Sequence, residues 1–189
     1  MTTIPRMLLP AALLGLAAAC ASSGTKFQDR NMDFGSVKTV AVMPFMNMSR
    51  DHLAADRVRD VFATSLLATE AVYVVPLGEV ARALGRVGVA NVSTPTVEEA
   101  QKLGQALKAE ALITGVVKEY GEVRSGNAVG NVVSVSVQMM DAASGKVVWS
   151  ASTTQGGVSF GDRMLGGRGL PLNDTTEAAV NDLLDKLFR

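Results

Sequence analysis

The stretch Asn131 to Thr153, NVVSVSVQMMDAASGKVVWSAST, decides the fold. Val133, Val135, Val137 and Met139 alternate with Ser134, Ser136 and Gln138 over Asn131 to Asp141. Side chains on a strand point to opposite faces in turn, so this is a strand with one buried face. Ala142-Ala143-Ser144-Gly145 then turns the chain, with Gly145 supplying a positive φ. Lys146 to Thr153 is apolar enough to pair back as the second arm of a hairpin.

Upstream, the pattern changes to strands separated by helices. Ala111 to Tyr120 (ALITGVVKEY) is a strand, and Gly121 to Gly130 (GEVRSGNAVG) reads as a loop. Before it, Thr96-Val97-Glu98-Glu99 is a capping box, in which Thr and Glu side chains satisfy free N–H groups of a helical first turn. The helix behind that cap presents Ala100, Leu103, Gly104 and Leu107 on one face. Leu77, Val80, Ala81 and Leu84 mark a shorter helix that ends near Gly85 or Gly88. Ala71 to Val75 is a short strand. Leu53 to Thr69 is a helix with Ala54, Val58, Val61, Phe62, Ser65 and Leu66 on one face. Val37 to Pro44 (VKTVAVMP) is nearly continuous in apolar residues, as a strand covered on both faces should be. Residues 45 to 52 read as a loop. Downstream, residues 154 to 172 are glycine-rich without periodicity, and a last helix starts at an Asp174 cap and carries Val180, Leu183, Leu184 and Leu187 as its stripe.

The expected order is therefore β-α-β-α-α-β-β-β-α: a single-domain α/β sandwich of a mixed sheet with helices packed against it. The domain spans 37–189, residues 20–36 form an anchor, read below as a lipid one, and a flexible polar tether, and residues 1–19 form an export signal. A tether of about 16 residues reaches at most about 55 Å.

The signal is read from Arg6 followed by Met7 to Ala19, MLLPAALLGLAAA. A charged start, a short apolar run and small residues at the cut direct export. The run has about 13 residues, below the ~20 a spanning helix needs. Cys20, the only cysteine, follows it. Its context resembles the lipobox of bacterial lipoproteins, whose new N-terminal cysteine is acylated. Ala17 stands where that motif usually has Leu, with Leu16 one place further out. The rival reading is a secreted protein cut near Ala21. Under the lipoprotein reading, palmitate-type acyl chains hold the chain to a membrane without spanning it. Ala21 after the cysteine agrees with sorting to the periplasmic face of the outer membrane, as the resemblance implies.

Composition narrows the rest. The chain balances 18 Lys+Arg against 18 Asp+Glu, which gives no electrostatic footprint for nucleic acid. Hydrophobic residues make up 48% and charged residues 19%, so the chain folds. One cysteine leaves no disulfide and no cysteine-based zinc site. His52 is the only histidine, and no carboxylate cluster has metal-ligand spacing, so neither a metal nor another cofactor is expected. No G-x-S-x-G, P-loop or dinucleotide fingerprint occurs, and an enzyme is not expected.

Several segments together resemble a family. VAVMPFMNMS, VVPLGEVARALGRVG, the helix-to-strand join AQKLGQALKAEALITGVV and the hairpin VSVQMMDAASGKVVWS look like the periplasmic domain of envelope lipoproteins. That group includes curli-secretion (CsgG-like) and penicillin-binding-protein-activator (LpoB-like) lipoproteins and the N-terminal domain of the Tol-system propeller protein, TolB. The hairpin is the most patterned piece after the join, with Asp141, Ser144, Gly145, Lys146, Val147, Val148, Trp149 and Ser150 in the expected places. The resemblance implies a non-enzymatic outer-membrane lipoprotein. Its partners would be envelope proteins, a peptidoglycan synthase or secretion components, and copies of itself. A ring-forming component of a secretion assembly and a periplasmic small-ligand binder are the alternatives. Two loops are candidate contacts: Phe45, Met46 and Met48 after the first strand, and Phe160, Arg163, Met164, Leu165 and Arg168 in the glycine-rich segment.

Overall fold

The computed structural model describes residues 25–158, 164 and 169–189. Strand β5 (Ala111–Ser125) and strand β6 (Ala128–Asp141) form one long antiparallel hairpin, and β7 (Val147–Gly156) pairs antiparallel with β6. On the other side of β5 lies β2 (Thr39–Val42), in parallel, and beyond it β4 (Tyr73–Val74), also parallel. Two short strands complete the sheet. β1 (Lys26–Gln28) pairs antiparallel with β7, and β3 (Met46–Asn47) pairs parallel with β5. The order across the sheet is β1-β7-β6-β5-β2-β4, with β3 beside β5. The mixed α/β sandwich expected from the sequence is the fold of the protein.

The alternation read in Asn131 to Asp141 sorts as the pleat demands. Val133, Val135, Val137 and Met139 are buried, with Trp149 and Ala151 of β7, under two helices, α1 (Ala54–Ala68) and α4 (Leu172–Phe188). α1 contributes Ala54, Val58, Phe62 and Leu66 to that core, and α4 contributes Ala179, Val180, Leu183 and Leu184. Each fully buried Val, Leu, Phe or Met among them contributes about 1.5–3 kcal/mol relative to exposure, and the alanines less. The opposite face is covered only in part. α2 (Leu77–Val87) and α3 (Val97–Leu107) close a second core with Ala41, Met43, Leu112 and Ala142. Ser134, Ser136, Ser150 and Ser152 on that face stay half-exposed.

Local signals account for the helix ends. Gly88 closes α2 at φ 72°, in the left-handed region that glycine enters without cost. Thr96 accepts from Glu99 N–H at 3.2 Å, and Glu99 accepts from Thr96 N–H at 2.8 Å, so the capping box is formed at α3. Glu99 also accepts from Ala90 N–H at 3.0 Å. These N–H donors hold its carboxyl below the ordinary glutamate range, the bond from Thr96 being the largest cause. A depressed carboxylate stabilises the fold above its unfolded pKa and loses that contribution as pH falls through its folded value. Thr96→Ala should cost about 1 kcal/mol, read as a shift in the urea midpoint, with the mutant losing part of the acid sensitivity.

Five expectations are corrected. The segment 121–130 is not a loop. β5 runs on to Ser125, β6 starts at Ala128, and Gly126 (φ 61°) with Asn127 makes the turn. Within 45–52, Met46–Asn47 is a strand, because Met48 N–H reaches Val117 C=O at 2.9 Å and the backbone continues the ladder on β5. The first strand stops at Val42, short of Pro44. α4 starts at Leu172 behind Pro171, two residues before Asp174, which lies inside the first turn and makes no cap. The expected tether over 20–36 already joins the domain at Lys26: β1 lies on β7, a 3-10 turn forms at Phe34–Ser36, and Met32 and Phe34 pack on the core.

Candidate functional site

The loop after β2 is built around Phe45. Its ring is buried, meets Phe62 edge-on with centroids 6.0 Å apart, and lies over Gly115, where a Cβ would stand 2.8 Å from it. Glycine in β5 is what admits the ring. Phe45 therefore belongs to the core, with only 7% of its surface exposed. Met46 is half-buried in β3. The next turn is tied down by side chains. Asn47 donates to Asp51 C=O at 2.7 Å and accepts from Ser49 N–H at 2.9 Å. Asp51 accepts from Leu53 N–H at 2.9 Å and pairs with Arg57 at 3.1 Å. On this fixed turn, Met48 is 66% exposed and Leu53 is 54% exposed. Of the three residues read from this loop, the structure offers Met48 to solvent, and Leu53 joins it without a sequence signal beyond its place before α1. His52 is exposed in the same turn.

Arg59 of α1 was not singled out by the sequence. Its Nε and Nη2 donate to Val42 C=O at 3.2 and 2.5 Å, closing the carboxyl end of β2. Burial lowers its pKa, while Asp56 and Asp60 raise it. The guanidinium stays charged in any case, so its role here is to hold the loop against the strand.

The second candidate segment leaves and rejoins the fold at one place. Gly157 N–H donates to Asn131 C=O at 2.7 Å, and Asn131 Nδ2 donates to Leu170 C=O at 2.8 Å. Asn131 thus clasps both ends of the intervening chain. Met164 is 71% exposed. Phe160, Arg163, Leu165 and Arg168 lie outside the described residues, as does Cys20. Both this neck and the Met48 turn stand on the side of the sheet toward the β5–β6 turn, because Asn131 pairs with Glu122 and Asn47 with Val117.

Two concavities lie at the other end of the sheet. An open groove of about 730 Å³ runs between the end of α3 and the segment 32–37, with Gln101, Lys108, Glu110 and Asp141 on its walls. Glu110 is engaged there, accepting from Thr39 N–H at 2.6 Å. A small apolar pocket of about 80 Å³ lies beneath Phe34, between Leu66, Leu187 and Phe188. Among the described residues no group of His, Cys, Asp and Glu could hold a metal ion, and no helix is long and apolar enough to cross a membrane.

Residues 32–187 match the model of the GNA1162-like lipoproteins, and the chain belongs to that family. None of the curated proteins matches it. Among solved structures, the fold is similar to the PelC dodecamer from Paraburkholderia phytofirmans: TM-score 0.59, 18% identity, 87% of this chain and 96% of that one. It is similar to lipoprotein GNA1162 from Neisseria meningitidis, with TM-score 0.54 and 22% identity over 78% of this chain and 99% of that one. It is also similar to the LpoB C-terminal domain from Salmonella enterica, with TM-score 0.50 and 14% identity over 67% and 86%. At these identities the likeness is one of fold.

Proposed function

We propose that this chain is a non-enzymatic outer-membrane lipoprotein, anchored through Cys20 and facing the periplasm. Its domain binds protein partners in envelope assembly, secretion or peptidoglycan-synthase control. The observation that carries the reading is the family match over residues 32–187, downstream of an export-type leader that is followed by Cys20. The contact surface would be Met48 and the segment clasped by Asn131, with Phe160, Arg163, Met164, Leu165 and Arg168. Met48 and Met164 are exposed thioethers, which adapt to a partner's surface. Phe45 has no place in that surface.

A ring-forming structural role is the second reading. It is favoured by the likeness to a chain that forms a dodecamer, which extends over nearly the whole of both proteins. The two sheet edges, β1 and β4, are only three and two residues long, and a head-to-tail contact between unlike edges would close a ring if the rotation allows it.

Membrane fractionation of cells carrying Cys20→Ala tests the anchor. The variant should be exported yet appear in the soluble periplasmic fraction, while the parent floats with outer membranes. A variant that stays equally membrane-bound would remove the lipid from the account.

A further inference from the structure

The short link between Cys20 and the sheet restricts how the domain can sit on a bilayer. This inference rests on the anchor proposed above. Six residue steps separate Cys20 from Lys26, which is at most about 20 Å of chain. Lys26 pairs with Ala151, Ala151 with Val137, and Val137 with Gly115, so β1 stands level with Gly115 of β5. From there the hairpin runs on to Ser125, ten residues or roughly 33 Å at ~3.3 Å per residue.

A membrane laid across the hairpin turn would therefore have to take in Glu122, Arg124 and Asn127, which the short link would pull below its surface. Glu122 and Arg124 are paired with each other at 2.8 Å and exposed. Burying such a polar tip in hydrocarbon is costly. The β4 edge is also farther than the link reaches. It is five strand spacings from β1, about 24 Å at ~4.8 Å per strand. The β1 flank is where that link joins the sheet. Among the described residues its outer edge is unpaired, and it carries an exposed aromatic, Phe27 at 51%, next to an exposed cation, Lys26. An amphipathic boundary of lipid headgroups suits that pair of side chains.

We infer that the bilayer surface lies along the β1 flank, with Lys26 and Phe27 at the headgroup layer and the β5–β6 hairpin alongside the membrane. Met48 and β4, on the far side of β5, then face away from it.

The test uses the full-length lipidated protein in vesicles of phosphatidylethanolamine and phosphatidylglycerol, three to one. Acylation occupies the Cys20 sulfur, so Phe27→Cys, Tyr73→Cys or Asn127→Cys supplies the sole thiol for a fluorophore. A nitroxide on the lipid headgroup serves as quencher. The label at 27 should be quenched several-fold more strongly than those at 73 and 127. Equal quenching at the three positions, or the strongest at 73 or 127, would overturn the orientation while leaving the anchor intact. Protein that fails to float with the vesicles would overturn the anchor and the orientation together.

Discussion

Trp149→Ala should destabilise the domain by about 3–5 kcal/mol, the range for removing a buried aromatic. Trp149 is 1% exposed, one of the largest fully buried side chains, and sits between β7 and α4. Its Nε1–H donates to Lys186 C=O at 3.3 Å, near the end of α4. Truncation therefore opens a void under α4 and frees a carbonyl of its last turn. Lys186 reinforces the same joint, because its ammonium donates to Ser152 C=O at 3.0 Å and pairs with Asp182. Thermal unfolding measured by circular dichroism should show the midpoint falling by roughly 10 °C for a domain of this size. Trp149→Phe keeps most of the volume and should lose only about 1 kcal/mol with the hydrogen bond. Similar losses for both variants would mean that the bond, not the packing, holds α4 to the sheet.

Gly156→Ala should be nearly as damaging for a different reason. Gly156 has φ 83°, and a Cβ there would stand 2.0 Å from Asn131 O and 2.8 Å from the Thr175 methyl group. Left-handed backbone costs a side chain about 1–2 kcal/mol. The overlap with backbone adds to that, and a total of at least about 3 kcal/mol is expected. Gly126→Ala is the control. It has φ 61° but nothing within 4 Å, so it should show only the conformational part. Urea titration of the two variants separates the terms. Equal midpoints would show that the Asn131 clasp yields without loss and does not fix the neck of the candidate segment.

Much of this fold is legible in the sequence because its signals are strong and local. The alternation from Val133 to Met139 is that of a half-buried strand, and the structure buries those four residues. Thr96 and Glu99 form the box their spacing predicts. Gly145 takes φ 67° at the expected turn. The parts that escape are those where backbone pairing outweighs side-chain pattern. β1 and β3 are three and two residues long, too short for any period, and exist because a neighbouring strand offers free ladder positions. The outer half of β5 mixes Gly121, Glu122 and Arg124, which reads as a loop, yet each pairs across to β6. The one usable signal there is Gly126-Asn127, a two-residue hairpin turn. The helix start at Leu172 is hidden because Asp174 and Glu177 imitate a cap. Packing of Leu172 on the core and back-bonding of Thr175 and Thr176 hydroxyls to Pro171 and Leu172 C=O set the true start.

The candidate surface is only partly legible. Exposure cannot be read from residue type, and Phe45 and Met48 show why. They stand three residues apart, yet one fills the hollow over Gly115 while the other is held outward by the Asn47 and Asp51 hydrogen bonds. Leu53 and the Asn131 clasp carry no motif at all.

We propose that this domain works by holding other envelope proteins. The most direct test is crosslinking in living cells of the lipidated protein, followed by purification and mass spectrometry. It would be run beside a variant in which Met48→Lys is combined with replacement of residues 158–168 by a glycine-serine link, with folding of both checked by thermal unfolding. If so, the parent should capture a peptidoglycan synthase, its accessory proteins or secretion components, and the folded variant should lose them. Capture of the same proteins by the folded variant, or of nothing but copies of the chain itself, would contradict it, and the second outcome would leave the ring as the better description.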